Sequence, residues 1–209
     1  MRKYAIKEIF YSIQGEGYHV GKPAIFIRFT GCNFWNGKEK DRSKAICNFC
    51  DTDFLKTDGQ NGGRYTSCDL IDKIKTLSKT CKYVVLTGGE PLLQVNHDLV
   101  EKFKENEYYV AIETNGSKIP PKNIDWICCS PKSLNKLNIM ETHELKVVYP
   151  AIDPLPYSKL IKAQHYYIQP LDHIDPIKRK ENVKKCIEYC KENTKWKLSI
   201  QAHKYLEVD

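Results

Sequence analysis

The chain has 209 residues, 41% of them hydrophobic and 28% charged, with a formal net charge of +7. This is the balance of a folded domain with a substantial core, and it excludes a disordered polyelectrolyte. No apolar run approaches the roughly 20 residues of a membrane span, and the basic start at Met1 to Tyr4 is not followed by the apolar core of a signal peptide, so a cytoplasmic protein without a membrane partner is expected.

Ile9 to Gly17 reads IFYSIQGEG, a strand-like run closing in a polar, glycine-flanked turn. Gln14 and Glu16 offer an amide and a carboxylate there, and Gly15 and Gly17 let backbone approach a ligand; a plain surface turn is the alternative. Lys22 to Phe29 reads as a strand of β-branched and aromatic residues interrupted by Arg28. An arginine inside such a strand needs an anion, either a structural carboxylate or that of a substrate.

Cys32 to Thr52 follows, with fourteen residues between Cys32 and Cys47 and two between Cys47 and Cys50. Three thiolates on one loop can hold three irons of a [4Fe–4S] cube and leave the fourth iron open to a small molecule. A zinc site completed by Cys68 or Cys81 is the rival. A disulfide framework is weaker, because the nine cysteines are odd in number and no secretory segment precedes them. The stretch between Asn33 and Ile46 reads as a loop or short irregular helix.

Thr57 to Tyr65 is a glycine-rich connection without phosphate-loop spacing. Thr66 to Leu77 is a helix, with Leu70, Ile71, Ile74 and Leu77 at helical spacing and Thr66 and Asp69 at capping positions. From Lys82 on, strands alternate with helices. Tyr83 to Leu86 ends at TGGEP, Tyr109 to Ile112 at ETNG, Trp126 to Cys129 at SPK, and Tyr166 to Ile168 at QPLD. Leu145 to Tyr149 and Leu198 to Ile200 are further strands, and Leu99, Val100 and Phe103 mark a helix. Adjacent Cys128 and Cys129 point to opposite sides of their strand. A late helix has Val183, Cys186, Ile187 and Cys190 on one face, read as a core stripe rather than a metal site. Lys178, Arg179, Lys180, Lys184 and Lys185 form its solvated face. With the remaining lysines spread along the chain and no basic–aromatic alternation, no direct nucleic-acid partner is expected.

Such alternation implies a mostly parallel sheet, curled into a barrel or open and doubly wound, with ligands at the carboxyl ends of its strands. Four polar or glycine-rich tetrads on that rim, beside a three-cysteine loop, describe one site.

The ordered set IFYSIQGEG, PAIFIRFTGC, CDT, TGGEP, IETNG, SPK, QPL and HKYLE resembles the 7-carboxy-7-deazaguanine synthases of the radical S-adenosylmethionine (SAM) superfamily, from about Ile9 to the C-terminus. The resemblance implies an α/β fold, a partial (β/α) barrel with a mostly parallel six-stranded core. It implies one domain over residues 1–209, with the cluster loop 32–50 inserted after an early strand. The one departure is the Cys32–Cys47 spacing, longer than the superfamily's usual three residues.

By the same resemblance Cys32, Cys47 and Cys50 hold the [4Fe–4S] cluster and Thr52 a Mg2+ that keeps waters and shares substrate oxygens. SAM falls to Phe49, Gly88, Gly89, Glu113, Asn115, Ser130, Pro131, Lys132, Gln169, Pro170, Leu171 and Asp172. The substrate falls to Ile13, Gln14, Gly15, Glu16, Arg28, Thr87 and the terminal Asp209, while His203 and Lys204 carry no assigned role. The implied reaction turns 6-carboxy-5,6,7,8-tetrahydropterin into 7-carboxy-7-deazaguanine with loss of ammonia. A deoxyadenosyl radical removes a hydrogen at C6, and SAM is regenerated. No conventional protein nucleophile is required. A homodimer, and an electron donor such as flavodoxin or ferredoxin, are implied partners. The rivals are another radical SAM activity, such as a protein-activating enzyme, and a zinc-stabilised binding module.

Overall fold

The structure is a computed structural model that describes residues 2–208. Two strands rich in β-branched and aromatic residues, β1 (Tyr4–Ile13) and β2 (Pro23–Phe29), pair antiparallel, with Ile13 opposite Pro23. The glycine-rich connection contributes a three-residue β3 (Gly63–Tyr65) on the outer edge of β1, where the sequence shows only a loop. β4 (Tyr83–Gly88), β5 (Tyr109–Thr114), β6 (Trp126–Cys129), β7 (Glu141–Tyr149), β8 (Lys162–Pro170) and β9 (Trp196–Leu198) then run parallel to β2. The sheet order is β3-β1-β2-β4-β5-β6-β7-β8-β9, so β3 and β9 are its edges and the barrel is partial. The parallel part holds the six longer strands expected, with short β9 added and centred two residues earlier than Leu198 to Ile200.

Helices α1 (Ser67–Leu77) and α2 (His97–Glu105) cover one half of the outer face. Their buried Leu70, Ile71, Ile74, Leu99, Val100 and Phe103 share a core with Ile25, Ile27, Val84 and Leu86. α3 (Pro154–Leu160) and α4 (Pro176–Glu192) cover the other half, packing near Leu145, Val147, Ile168 and Trp196. α3 is not visible as a helix in the sequence because its seven residues include two prolines; Asp153 caps it, and Pro154 sits where a missing N–H costs nothing. On α4 the expected stripe needs correction. Cys186 is buried, but Ile187 is exposed, and Asn182 takes a buried position by donating 2.8 Å to Leu171 O. Cys129 packs under α3 and α4 while Cys128 faces the barrel interior, as strand alternation requires.

The interior is stoppered at the amino ends of the parallel strands. The 3-10 turn Gly17–His19 brings Tyr18 onto Trp126 and His165, with ring centroids 4.9 and 4.3 Å apart, and wedges His19 against Tyr83 and Trp126. Lys22 caps the stack 4.4 Å from the Tyr83 ring. The barrel therefore opens at its carboxyl rim.

α1 starts with a complete capping box: Thr66 accepts from the Asp69 N–H, and the Asp69 carboxylate accepts from the Thr66 N–H. Thr66→Ala should lower unfolding stability by about 1 kcal/mol, whereas Thr66→Ser should keep it, as read from urea unfolding midpoints.

Candidate active site

Five strand ends on the open rim deliver polar segments to one cavity of about 500 Å³. β2 runs into Cys32, β4 into Thr87, Gly88 and Gly89, β5 into Glu113 and Asn115, β6 into Ser130 and Lys132, and β8 into Gln169, Pro170, Leu171 and Asp172; all line the cavity. So do Cys47, Phe49, Cys50 and Thr52 from the cysteine loop and Ile13, Gln14, Gly15, Glu16 and Arg28. Pro131 is buried and does not line the cavity, and the assignment of Asp209 falls outside the described residues. The Ile13 to Glu16 segment does not belong to the rim at all. Because β1 is antiparallel to its neighbours, it ends at their amino ends, and the segment forms the cavity floor.

The long Cys32–Cys47 connection is folded back by an aromatic and an arginine. Trp35 packs edge-on against Phe54 with Arg42 stacked 4.1 Å over its ring. Arg42 lies in the 3-10 turn Glu39–Lys44 and donates 3.1 Å to Asn48 O and 2.9 Å to Cys50 O, so Cys47 and Cys50 return beside Cys32. Cys47 shares its proton with Cys50, which pulls the Cys50 thiol down to about 6 and pushes Cys47 up. Among the described residues no three His, Cys, Asp or Glu side chains gather around a single point as one ion needs, and neither Cys68 nor Cys81 lines this cavity. A cluster asks for something different, one sulfur for each of three irons, and three thiols on one cavity wall fit that donor set.

The glycine pair has a structural reason of its own. Gly88 has φ +139°, and a Cβ on it would lie 2.3 Å from Phe29 O, while one on Gly89 would lie 2.3 Å from Gly31 O. Gly89 N–H is spent on Phe29 O and Glu90 N–H on Gly31 O. This turn therefore has carbonyls to offer a ligand, the acceptors an ammonium requires. Glu90, fully buried, ties the next loops to it by accepting from Leu92 N (3.0 Å), Thr114 Oγ1 (2.8 Å) and Asn115 N (2.7 Å). Asn115 in turn donates 3.0 Å to Asn33 on the cysteine loop. Lys132 folds back onto Ser130 O at 2.8 Å and directs its charge towards the thiols.

Arg28 finds the structural carboxylate: its Nε donates 2.6 Å to Glu8, opposite it on β1. Thr52 stands between Asp51, held by Lys204, and Asp53, held by Lys7. A Mg2+ there would find one hydroxyl and no carboxylate cage, which fits an ion that keeps waters and shares ligands with substrate.

Lys146 on β7 is a buried cation, its side chain only 4% exposed. Its Nζ donates 2.6 Å to Glu16 and 2.9 Å to Glu113. Gln14 Nε2 donates 3.1 Å to the other Glu113 oxygen, and Gln169 and Gln201 each donate 3.1 Å to the other Glu16 oxygen. α5 (Ala202–Leu206) seats against Gly15, where a Cβ would lie 2.2 Å from His203 Nδ1, and Lys204 bridges Asp51 and Asp172 at 2.9 and 2.7 Å. Lys146, Glu90, Glu8 and Gln201 were not singled out from sequence. Lys146 carried the same signal as Arg28, a cation inside an apolar strand.

No protein-family model matches the chain. It is 46% identical over 211 residues to the 7-carboxy-7-deazaguanine synthase of Burkholderia multivorans, covering 98% of this chain and 99% of that protein. It is 45% identical over 210 residues to the protein of the same name from Bradyrhizobium diazoefficiens, with 98% and 99% covered. Among solved structures it is similar to QueE from Escherichia coli, at 28% identity and a TM-score of 0.71, over 96% of this chain and 95% of that one.

Glu90→Gln should destabilise the rim by about 1–3 kcal/mol. Whichever way the amide turns, its NH2 faces the N–H of either Leu92 or Asn115; urea unfolding of the variant against wild type measures the cost.

Proposed function

The chain belongs to the 7-carboxy-7-deazaguanine synthase family of radical SAM enzymes, and from that premise we propose how its residues divide the reaction. The family works with a [4Fe–4S] cluster, SAM and Mg2+. The substrate is 6-carboxy-5,6,7,8-tetrahydropterin, which leaves as 7-carboxy-7-deazaguanine and ammonia on the way to queuosine. When bound, the cluster and SAM together supply the carbon-centred radical that starts the ring contraction.

Cys32, Cys47 and Cys50 would hold the cluster. The Gly88 and Gly89 carbonyls accept from the SAM amino group, Phe49 packs near its adenine, and Glu113, Asn115, Ser130, Lys132 and Gln169 to Asp172 complete its pocket. Arg28, fixed through Nε by Glu8, keeps its terminal nitrogens for the substrate carboxylate. Ile13 to Glu16 receive the pterin from below, with Thr87 beside it, and Thr52 would hold a Mg2+ that supplies positive charge for orienting the substrate. The stacked plug of Tyr18, His19 and Trp126 keeps water from entering through the amino end. The terminal Asp209 is assigned to the substrate on resemblance alone.

One observation carries this reading. Three thiols, a carbonyl-bearing glycine turn and an arginine held by a second carboxylate all face the same cavity. A protein-activating enzyme would share the thiols and the turn, but would have no use for the Gln14–Glu16 floor or for Arg28. The protein acts as one cytoplasmic domain over residues 1–209, as a homodimer, with flavodoxin or ferredoxin as donor. No helix among the described residues is long and apolar enough to cross a membrane.

Turnover of carboxytetrahydropterin by reconstituted protein under exclusion of oxygen tests the assignment. Wild type should release ammonia and the deazaguanine. Cys47→Ala should give no turnover. Arg28→Ala should keep the cluster's visible absorbance while its pterin KM rises at least about tenfold, the loss of one charge-assisted pair. A wild-type protein that cleaves SAM but leaves the pterin intact would overturn the substrate.

A further inference from the structure

Under the cavity lies an arrangement the reaction as described does not use. A single ammonium, Lys146 Nζ, is shared by two carboxylates assigned to different ligands, Glu16 to the pterin and Glu113 to SAM. We propose that Lys146 is a positioning residue: it keeps Glu16 ionised and pins it beside Glu113, so that both face the cavity as fixed hydrogen-bond acceptors. This deepens the reading above and rests on its assignment of pterin and SAM to this cavity.

The chemistry of the two ligands asks for such acceptors. A pterin edge presents N–H donors and a ribose presents hydroxyls, and a carboxylate serves both only while it carries no proton. Two carboxylates this near each other, with no cation between them, would hold one proton jointly. Lys146 prevents that. Burial alone would raise Glu16, but the charge and hydrogen bond of Lys146, with His203 and Gln201 adding to them, hold it below its ordinary value. Burial would likewise depress Lys146, yet the carboxylates of Glu113, Glu16 and Glu144 around it keep it firmly charged. Glu144, two residues away on β7, is raised by burial and accepts from Tyr18 N and from the Cys128 thiol. It therefore takes up a proton before Glu16 does, leaving the lysine's charge to Glu16 and Glu113. Tyr83, the other titratable group near Glu113, is pushed far up by burial and stays neutral.

The sign of the pH dependence follows. With the Glu16 value depressed, binding that depends on its carboxylate is complete above the ordinary glutamate value of 4.5 and is lost only as pH falls through the lower one. In Lys146→Met burial is unopposed by that cation, so the loss begins at higher pH. His203 is unchanged between the two proteins, and their difference isolates Lys146.

The test uses cluster-loaded protein without oxygen. SAM affinity by equilibrium dialysis and pterin kcat/KM are measured across pH for wild type, Lys146→Met and Lys146→Arg. In Lys146→Met the acid limb should move up by at least about one pH unit for both ligands, and Lys146→Arg should restore it. Unchanged limbs in a folded, cluster-loaded Lys146→Met overturn the proposal. Should that variant not fold, the infrared difference between wild type and Glu16→Gln at pH 6 decides. A carboxylate band lost on substitution supports the proposal, and a protonated-acid band overturns it. Dialysis still reports on Lys146, and infrared on the ionisation of Glu16, if wild type fails to turn over the pterin, so the two failures remain distinct.

Discussion

The constraint on which the structure depends is the cost of placing a charged lysine inside a barrel. An ammonium with 4% of its side chain exposed persists only if anions meet it there, and the two that do come from opposite directions. Glu113 descends from the rim at the end of β5, and Glu16 rises from the floor after β1. The amides of Gln14, Gln169 and Gln201 saturate their remaining oxygens, and Ser199 accepts from Gly17 N while donating to Gln169. Floor, rim and the strand after α4 are thus held in register by one hydrogen-bonded chain. Removing Lys146 would leave Glu16 and Glu113 without their shared cation.

The same economy shapes the cysteine loop. Fourteen residues separate Cys32 from Cys47, where a shorter link would bring them together directly. Here the extra length is made into structure by Arg42, which stacks on Trp35, pairs with Glu39 and hydrogen-bonds the carbonyls of Asn48 and Cys50. The insertion therefore behaves as a folded brace and not as slack between ligands.

Much of this was legible in the sequence, and the parts that were not share a cause. Strand runs of Val, Ile and Tyr and the rim tetrads depend on local periodicity, so β4 to β8 and the cavity wall could be read directly. The capping box at Thr66 and Asp69 is likewise a local pattern, and the structure contains it. What escaped was decided by partners distant in sequence. Nothing near Gln14 reveals that β1 runs antiparallel and so delivers this residue to the floor. β3 has too few residues to show a period, and α3 carries prolines that argue against a helix until its capping Asp153 is seen. Ile187 follows the apolar spacing of α4 yet faces solvent, while Asn182 takes a buried position through the Leu171 carbonyl. Lys146 sits in an apolar run, and its role emerges only with Glu16, 130 positions earlier.

The sheet never closes on itself: β3 and β9 are its edges, and across the gap the chain is joined by Ala202 N to Gly15 O, Gly17 N to Ser199 Oγ and Gln201 to Glu16. These bonds include no strand ladder, so the two ends of the sheet are held together by the loop from Gly15 to Gly17 and the segment from Ser199 to Ala202, and the integrity of the seam depends on side chains where every other join depends on strand pairing.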